Sequence, residues 1–403
     1  MDVSIFLLNI VFTGAGAIQV VLVSMDGFRW DYLNRVPTPN FDRLARHGTK
    51  IEHIDNTFVT ETFPCHYSIS TGLFEESHGI IGNFMYDPVF NSSFDFNTRE
   101  PRWWNGAEPI WVTARRQNLT SASYAWPGGD VEIRGFRPSI WFPYNKTVPF
   151  KDRIDATIDW LTVQKIDFVA LYFQEPDPTG HKYGLYANEI LEKIKELDNS
   201  IGYLLDKFDS HKLWGQVNLI VTSDHGMTEI DYVNKAIDIR NYVNMTNIIR
   251  TVESGPVMHI QPVDGKEDEV IQSLYNVRQM TAYKKVDIPE RWHFKNNRRV
   301  MPIFLVAEKG WLITANRTEL ATYYGGSGAH GYDNKLLSMK PIFIARGPNI
   351  TENHVAPTIR NIDIYPMICK LLGIEPAPNN GSLQATSNFL VNEKHVGVGG
   401  IVG

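Results

Sequence analysis

Gln19-Val20-Val21-Leu22-Val23-Ser24-Met25-Asp26-Gly27 is the stretch whose reading decides the fold. An unbroken apolar run, Val20 to Val23, ends on a short polar turn, which is the pattern of a strand buried on both faces of a parallel sheet. The pattern returns in Phe168-Val169-Ala170-Leu171-Tyr172-Phe173, running into Glu175-Pro176-Asp177, and in Leu219-Ile220-Val221-Thr222, running into Ser223-Asp224-His225-Gly226. Between these runs Ile190, Leu191, Ile194, Leu197, Ile201, Leu204, Leu205 and Phe208 keep a helical period, as Ile154, Ile158 and Leu161 do more briefly. The alternation predicts an α/β domain with a mostly parallel central sheet. From about residue 227 to 322 the pattern is mixed, with a strand expected over Val257 to Gln261 and a helix near Glu269 to Tyr275, and it reads as a smaller inserted lobe. A strand over Pro341 to Ala345 and a helix over Ile362 to Leu372 then return to the core.

The 403 residues are 43% hydrophobic and 12% aromatic, enough for a sizeable core. Thirty-nine basic against forty-five acidic residues give a net charge of −6, so there is no basic footprint for duplex nucleic acid. Val3 to Phe12 is nearly all apolar and Ala15-Gly16-Ala17 follows, the arrangement of a signal peptide over residues 1–17. Asn-x-Ser/Thr sequons at Asn91, Asn118, Asn145, Asn244, Asn316, Asn349 and Asn380 fit a secreted or cell-surface glycoprotein. Cys65 and Cys369 are too few for a disulfide framework. No stretch is long enough to span a bilayer, so the expectation is a soluble protein or one whose C-terminal anchor lies beyond the glycine-valine tail at 386–403.

Ligands gather at the carboxyl ends of strands in open parallel sheets, and Asp26, Asp177 and Asp224 each follow such an end. A single acid there is commonly a turn or cap residue; the case rests on the company these keep. Asp177-Pro178-Thr179-Gly180-His181 places a carboxylate and an imidazole four apart on a tight turn, Asp224-His225 pairs them side by side, and Gly328-Ala329-His330-Gly331-Tyr332 adds a third histidine. Thr62 stands just before Pro64 and an apolar stretch that can start a helix, which would bring its hydroxyl to a helix N-terminus suited to a phosphate. Three carboxylates, three imidazoles and one hydroxyl suit two zinc ions. Two such ions about 4 Å apart can clamp the attacking and leaving oxygens of an in-line phosphoryl displacement. A Thr62 hydroxyl beside them would lose its proton more easily and become a usable nucleophile.

Asp26-Gly27-Phe28, Thr62-Phe63-Pro64, Glu175-Pro176-Asp177 with His181-Lys182-Tyr183-Gly184, Ser223-Asp224-His225-Gly226-Met227 and His330-Gly331-Tyr332-Asp333-Asn334 resemble the nucleotide pyrophosphatase/phosphodiesterase family of the alkaline phosphatase superfamily. The resemblance covers residues 18–385 and implies an alkaline phosphatase-like α/β/α sandwich forming the catalytic domain. It also implies that Asp177, His181 and His330 hold one zinc, and that Asp26, Thr62, Asp224 and His225 hold the other. Thr62 would attack phosphorus to give a phospho-threonine, and Asn83 would donate to a phosphate oxygen. His66 and His78 match no ligand position and read as structural.

The resemblance implies a small-molecule phosphodiester substrate, and two classes compete. Phe63 resembles the aromatic that stacks one face of a nucleotide base, with Tyr144 as its partner on the other face, a contact worth about 1–3 kcal/mol. Pro64-Cys65-His66, Arg102-Trp103-Trp104, Pro127-Gly128-Gly129-Asp130-Val131 and Leu171-Tyr172-Phe173 are instead similar to the family's alkaline sphingomyelinase, in which Tyr144 or Trp141 would cage a choline head at a membrane surface, whereas Pro289-Glu290-Arg291-Trp292-His293 resembles the nucleotide-side members. Phe63 tips the reading to nucleotides. Glu61 and Cys65 depart from the lysine and asparagine usual in nucleotide-cleaving members, and an anion at position 61 should weaken attraction for a substrate such as ATP. A non-catalytic ectodomain on the same fold would be expected to have lost a ligand, and none of the seven is missing.

Overall fold

The computed structural model describes residues 18–391; the expected signal peptide and most of the expected tail lie outside the described residues. In order, the chain forms β1 (Gln19–Met25), α1 (Pro39–Arg46), β2 (Thr49–Ile51), α2 (Thr62–Thr71), α3 (Ile110–Arg116), β3 (Ser121–Tyr124), β4 (Ile140–Phe142), α4 (Phe150–Thr162), β5 (Phe168–Phe173), α5 (Asp177–Tyr183), α6 (Asn188–Ser210) and β6 (Val217–Thr222). A second group follows: β7 (Ile248–Val252), β8 (Val257–Pro262), α7 (Glu267–Leu274), β9 (Met280–Lys284), β10 (Ile303–Ala307) and α8 (Arg317–Tyr324). The chain then returns through β11 (Phe343–Arg346), β12 (His354–Ala356) and α9 (Ile364–Leu372).

The main sheet has eight strands in the order β12-β2-β11-β6-β1-β5-β3-β4. Every neighbour of β1, β3 and β5 is parallel, and β11 alone runs against both β6 and β2. The expected strand near Pro341 therefore exists, two residues later than its hydrophobic run suggested, and lies antiparallel between β6 and β2. Side-chain patterning does not carry strand direction. β1, β5 and β6 are buried along their whole length, as two-sided coverage requires. One layer is made by α1, α4, α5 and α6, which pack on one another; α2, α3 and α9 make the other. Asp198 on α6 is buried and accepts the N–H groups of Asn40 and Phe41 at 3.0 and 2.9 Å, which locks α1 to α6 by capping its first turn.

The second group forms an antiparallel sheet, β7-β8-β10-β9, over its own apolar cluster around Met258, Ile260, Val270, Leu305 and Leu312. The polar Pro289-Glu290-Arg291-Trp292-His293 stretch joins the two units: Trp292 is buried and stacks on Phe58 of the main domain at 4.1 Å between centroids. Among the described residues no helix is long and apolar enough to cross a membrane. Cys65 and Cys369 are buried free thiols.

Candidate active site

The carboxyl edge of the main sheet gathers the residues that patterning singled out. Asp26 follows β1 directly, Asp177 opens α5, and Asp224 lies two residues past β6. Backbone bonds tie the ends together: the Asp26 N–H donates to Phe173 O at 2.9 Å, and the Asp177 N–H to Asp26 O at 3.1 Å. Gly27 turns at φ +67°, where a Cβ would stand 2.9 Å from that of Asp177, so only glycine fits this approach. Asp177 and His181 sit on a short helix rather than the tight turn expected, and their i,i+4 spacing puts both on one face, Oδ1 to Nε2 at 3.3 Å.

The three histidines share one arrangement. Each donates through Nδ1 to a backbone carbonyl: His181 to Gly328 at 2.8 Å, His225 to Gly226 at 2.8 Å, and His330 to Thr60 at 2.9 Å. Each Nε2 is thereby left as a bare lone pair. His330 Nε2 lies 3.1 Å from His181 Nε2 and 3.4 Å from Asp177 Oδ1. His225 Nε2 lies 3.1 Å from Asp224 Oδ2, 3.4 Å from Asp26 Oδ1 and 3.4 Å from Thr62 Oγ1. Asp26 Oδ1, Asp177 Oδ1 and Asp224 Oδ2 are buried and have no hydrogen-bond partner. Lone pairs facing lone pairs repel unless a cation lies among them, so the donor set fits metal ions. Two groups could each hold one: Asp26, Asp224 and His225, and Asp177, His225 and His330, with ligand atoms within 4.8 Å of one another. Burial, and then the charges of Asp224 and Asp177, push Asp26 well above the usual carboxylate range, as crowded anions do when no counter-charge is present. Burial, and then His225, push His330 down to about 3, leaving the neutral imidazole a metal requires.

Two residues that patterning passed over hold these ligands in place. The Tyr172 hydroxyl donates to Asp26 Oδ2 at 2.6 Å. His66 is wholly buried, with Nε2 on Ser24 Oγ at 2.8 Å and Nδ1 on Thr62 O at 2.7 Å and 3.3 Å from Asp224 Oδ2. Reading His66 as structural thus missed that the structure it supports is the site itself, whereas His78 packs away from it on Ser68 Oγ at 2.9 Å. The only sequence signal was the period: His66 falls one helical turn after Thr62.

Thr62 is the first residue of α2, and Glu61, not Thr62, occupies the cap position. At the helix start that was expected to suit a phosphate, the Phe63 N–H is taken by Asn83 Oδ1 at 2.9 Å. That bond turns the Asn83 amide nitrogen the other way, with Asn83 lining a cavity of about 400 Å³ beside Thr62, Asp177 and His330. Phe63 is 8% exposed, its ring packed against Phe94, Phe96 and Trp104, and it lines the same cavity. Tyr144, 46% exposed, lines the cavity too, next to Tyr172. Trp141 does not line it and lies under Arg137 on the edge strand β4.

A family model for type I phosphodiesterase / nucleotide pyrophosphatase matches residues 20–333. Ectonucleotide pyrophosphatase/phosphodiesterase family member 5 of Homo sapiens is 41% identical, over 92% of this chain and 78% of its own. The bis(5'-adenosyl)-triphosphatase of Mus musculus is 42% identical, over 94% of this chain and 83% of its own. Among solved structures, murine ectonucleotide pyrophosphatase / phosphodiesterase 5 aligns with TM-score 0.88 and 40% identity, over 92% of this chain and 100% of that one. An inactive variant of that murine protein in complex with AMP aligns with the same TM-score and identity. The choline-phospholipid alternative and its membrane-surface substrate find no support in these relatives. The chain belongs to the nucleotide pyrophosphatase/phosphodiesterase family, within the α/β fold that its strand pattern predicted.

Proposed function

We propose that this chain is an extracellular two-zinc phosphodiesterase that cleaves phosphodiester or pyrophosphate bonds of nucleotides through a phospho-threonine intermediate. The observation that carries the reading is the cluster of bare lone pairs, three imidazole Nε2 atoms and three unpartnered carboxylate oxygens, with His225 Nε2 3.4 Å from the Thr62 hydroxyl. Asp177, His181 and His330 would hold one ion and Asp26, Thr62, Asp224 and His225 the other; bound there, the ions would supply Lewis-acid stabilisation of the phosphoryl oxygens. Thr62 Oγ1, its proton passing to solvent, forms the new bond to phosphorus as the bond to the departing ester or anhydride oxygen breaks and that oxygen leaves with the second product; water then splits the phospho-threonine to release a nucleoside monophosphate and restore the Thr62 hydroxyl. Asn83 directs its amide at a phosphoryl oxygen, where a fixed donor lowers the barrier. Phe63 and Tyr144 hold the base between them.

Extracellular placement is supported by the sequons: six of the seven asparagines are exposed, while Asn349 is half-buried with its amide against Asn218. The test is Thr62→Ala assayed on a nitrophenyl nucleotide ester and on nitrophenyl phosphorylcholine, with a strong chelator applied to the parent protein. Turnover of the first ester alone, lost in the variant and reversibly lost on chelation, is expected. Full activity after either treatment, or turnover of the choline ester alone, overturns the reading.

A further inference from the structure

Arg153, in the first turn of α4, is wholly buried and does not line the cavity. A cation out of water carries a desolvation cost that an apolar side chain at the same position would not. Its guanidinium is answered by three carbonyls: Nη1 donates to Tyr172 O at 2.8 Å, and Nη2 to Asn145 O at 3.0 Å and to Val148 O at 3.3 Å. The rings of Tyr124 and Phe150 lie 5.8 and 5.2 Å from its Cζ, while its Nε is buried with no hydrogen-bond partner. The three carbonyls belong to two segments that meet at the cavity. Tyr172 lies near the end of β5, and its hydroxyl holds Asp26. Asn145 and Val148 lie in the link between β4 and α4, where residues 143–147 are all exposed and packing supplies little restraint. Tyr144 lines the cavity from that link and meets Tyr172 edge-on, with ring centroids 6.1 Å apart.

We propose that Arg153 is a positioning residue for substrate recognition: by bridging Tyr172 O to Asn145 O and Val148 O, it ties the link that carries Tyr144 to the strand end beside the phosphate site, so that the ring stands ready for a nucleobase. The inference rests on the nucleotide phosphodiesterase reading above, with Tyr144 as a base contact. A planar guanidinium donates in two directions at once, whereas an ammonium is a single point of charge and cannot span both segments. A ring ordered in advance spares the substrate that entropy cost on binding. Loss of the bridge should therefore appear in KM for substrates that carry a base, and not in the chemistry at phosphorus.

The experiment measures kcat and KM for the nitrophenyl ester of thymidine monophosphate and for methyl nitrophenyl phosphate, a diester with no base. Both are assayed in the zinc-loaded parent, in Arg153→Lys, in Tyr144→Ala and in the double variant, with folding checked by thermal melting. Arg153→Lys should raise KM for the nucleotide ester by roughly fivefold, with its kcat and the KM of the small diester within about twofold of the parent. In the Tyr144→Ala background the lysine substitution should change KM for the nucleotide ester by less than about twofold, because the ring it positions is gone. If the lysine variant does not melt cooperatively, Arg153→Gln takes its place in the same comparison; failure of both to fold assigns Arg153 to the fold alone and overturns the inference. An unchanged KM, equal increases for both esters, or an increase that persists in full without Tyr144 also overturns it and leaves the phosphodiesterase reading standing. A zinc-loaded parent enzyme that turns over neither ester overturns that reading and the inference with it.

Discussion

Tyr172→Phe removes one oxygen atom and tests whether the site depends on a residue that the sequence did not place among the ligands. The hydroxyl donates to Asp26 Oδ2 at 2.6 Å, within the short range of a bond to an ionised acceptor. The phenyl ring that remains keeps its edge contacts with His66 at 5.2 Å and Tyr144 at 6.1 Å, so no cavity opens. A hydrogen bond to a charged group is worth about 1.5–3 kcal/mol, and partners of metal-binding carboxylates typically account for about 10–100-fold in metal affinity or activity. We therefore expect zinc affinity, from activity titrated against buffered free zinc, to fall by at least about tenfold. At saturating zinc most of the lost kcat/KM should return, because the hydroxyl orients a ligand and does not touch phosphorus. Unchanged zinc affinity in a variant that melts normally would refute the assignment of Asp26 as a ligand oriented by Tyr172.

Three further outcomes follow from the same geometry. Asn83→Ala should lower kcat by about 10²–10³-fold, since it removes the fixed donor to the phosphoryl oxygen; steady-state kinetics decide it. Tyr144→Ala should raise KM for a nucleotide ester by roughly tenfold while altering stability by less than about 0.5 kcal/mol, as expected of an exposed stacking ring. Asp87 is buried between Arg298 and Arg299; burial opposes its ionisation, but those two guanidiniums hold its carboxyl down to about 2. A depressed carboxylate stabilises the fold above its ordinary range and loses that contribution as pH falls through about 2, so Asp87→Asn should cost about 2–3 kcal/mol near neutral pH. Denaturant melts of the two proteins should converge as the pH is lowered from about 4 toward 2.

The short strands of the main sheet show where local pattern fails. β3 reads Ser-Ala-Ser-Tyr, with Ser121 and Ser123 fully buried, because the approach of Gly129 leaves Ser123 no room for a larger side chain. β2, β4 and β12 are three residues each, too short for a period to show. The long strands and α6 were legible because two-sided burial and a single helical stripe write themselves into consecutive residues.

By itself the sequence determined the layered α/β class and the inventory of site groups, since strand ends deliver residues to one edge of a parallel sheet wherever the apolar runs stop. Tertiary structure decided how those groups face one another. The Tyr172 hydroxyl on Asp26, the His66 contact with Asp224, and the Asn83 oxygen on the Phe63 N–H join residues 20 to 158 positions apart, and the His330 Nδ1 bond to Thr60 spans 270. Side-chain directions and partners at that separation are set by the packing of whole elements, and no local period or motif carries them.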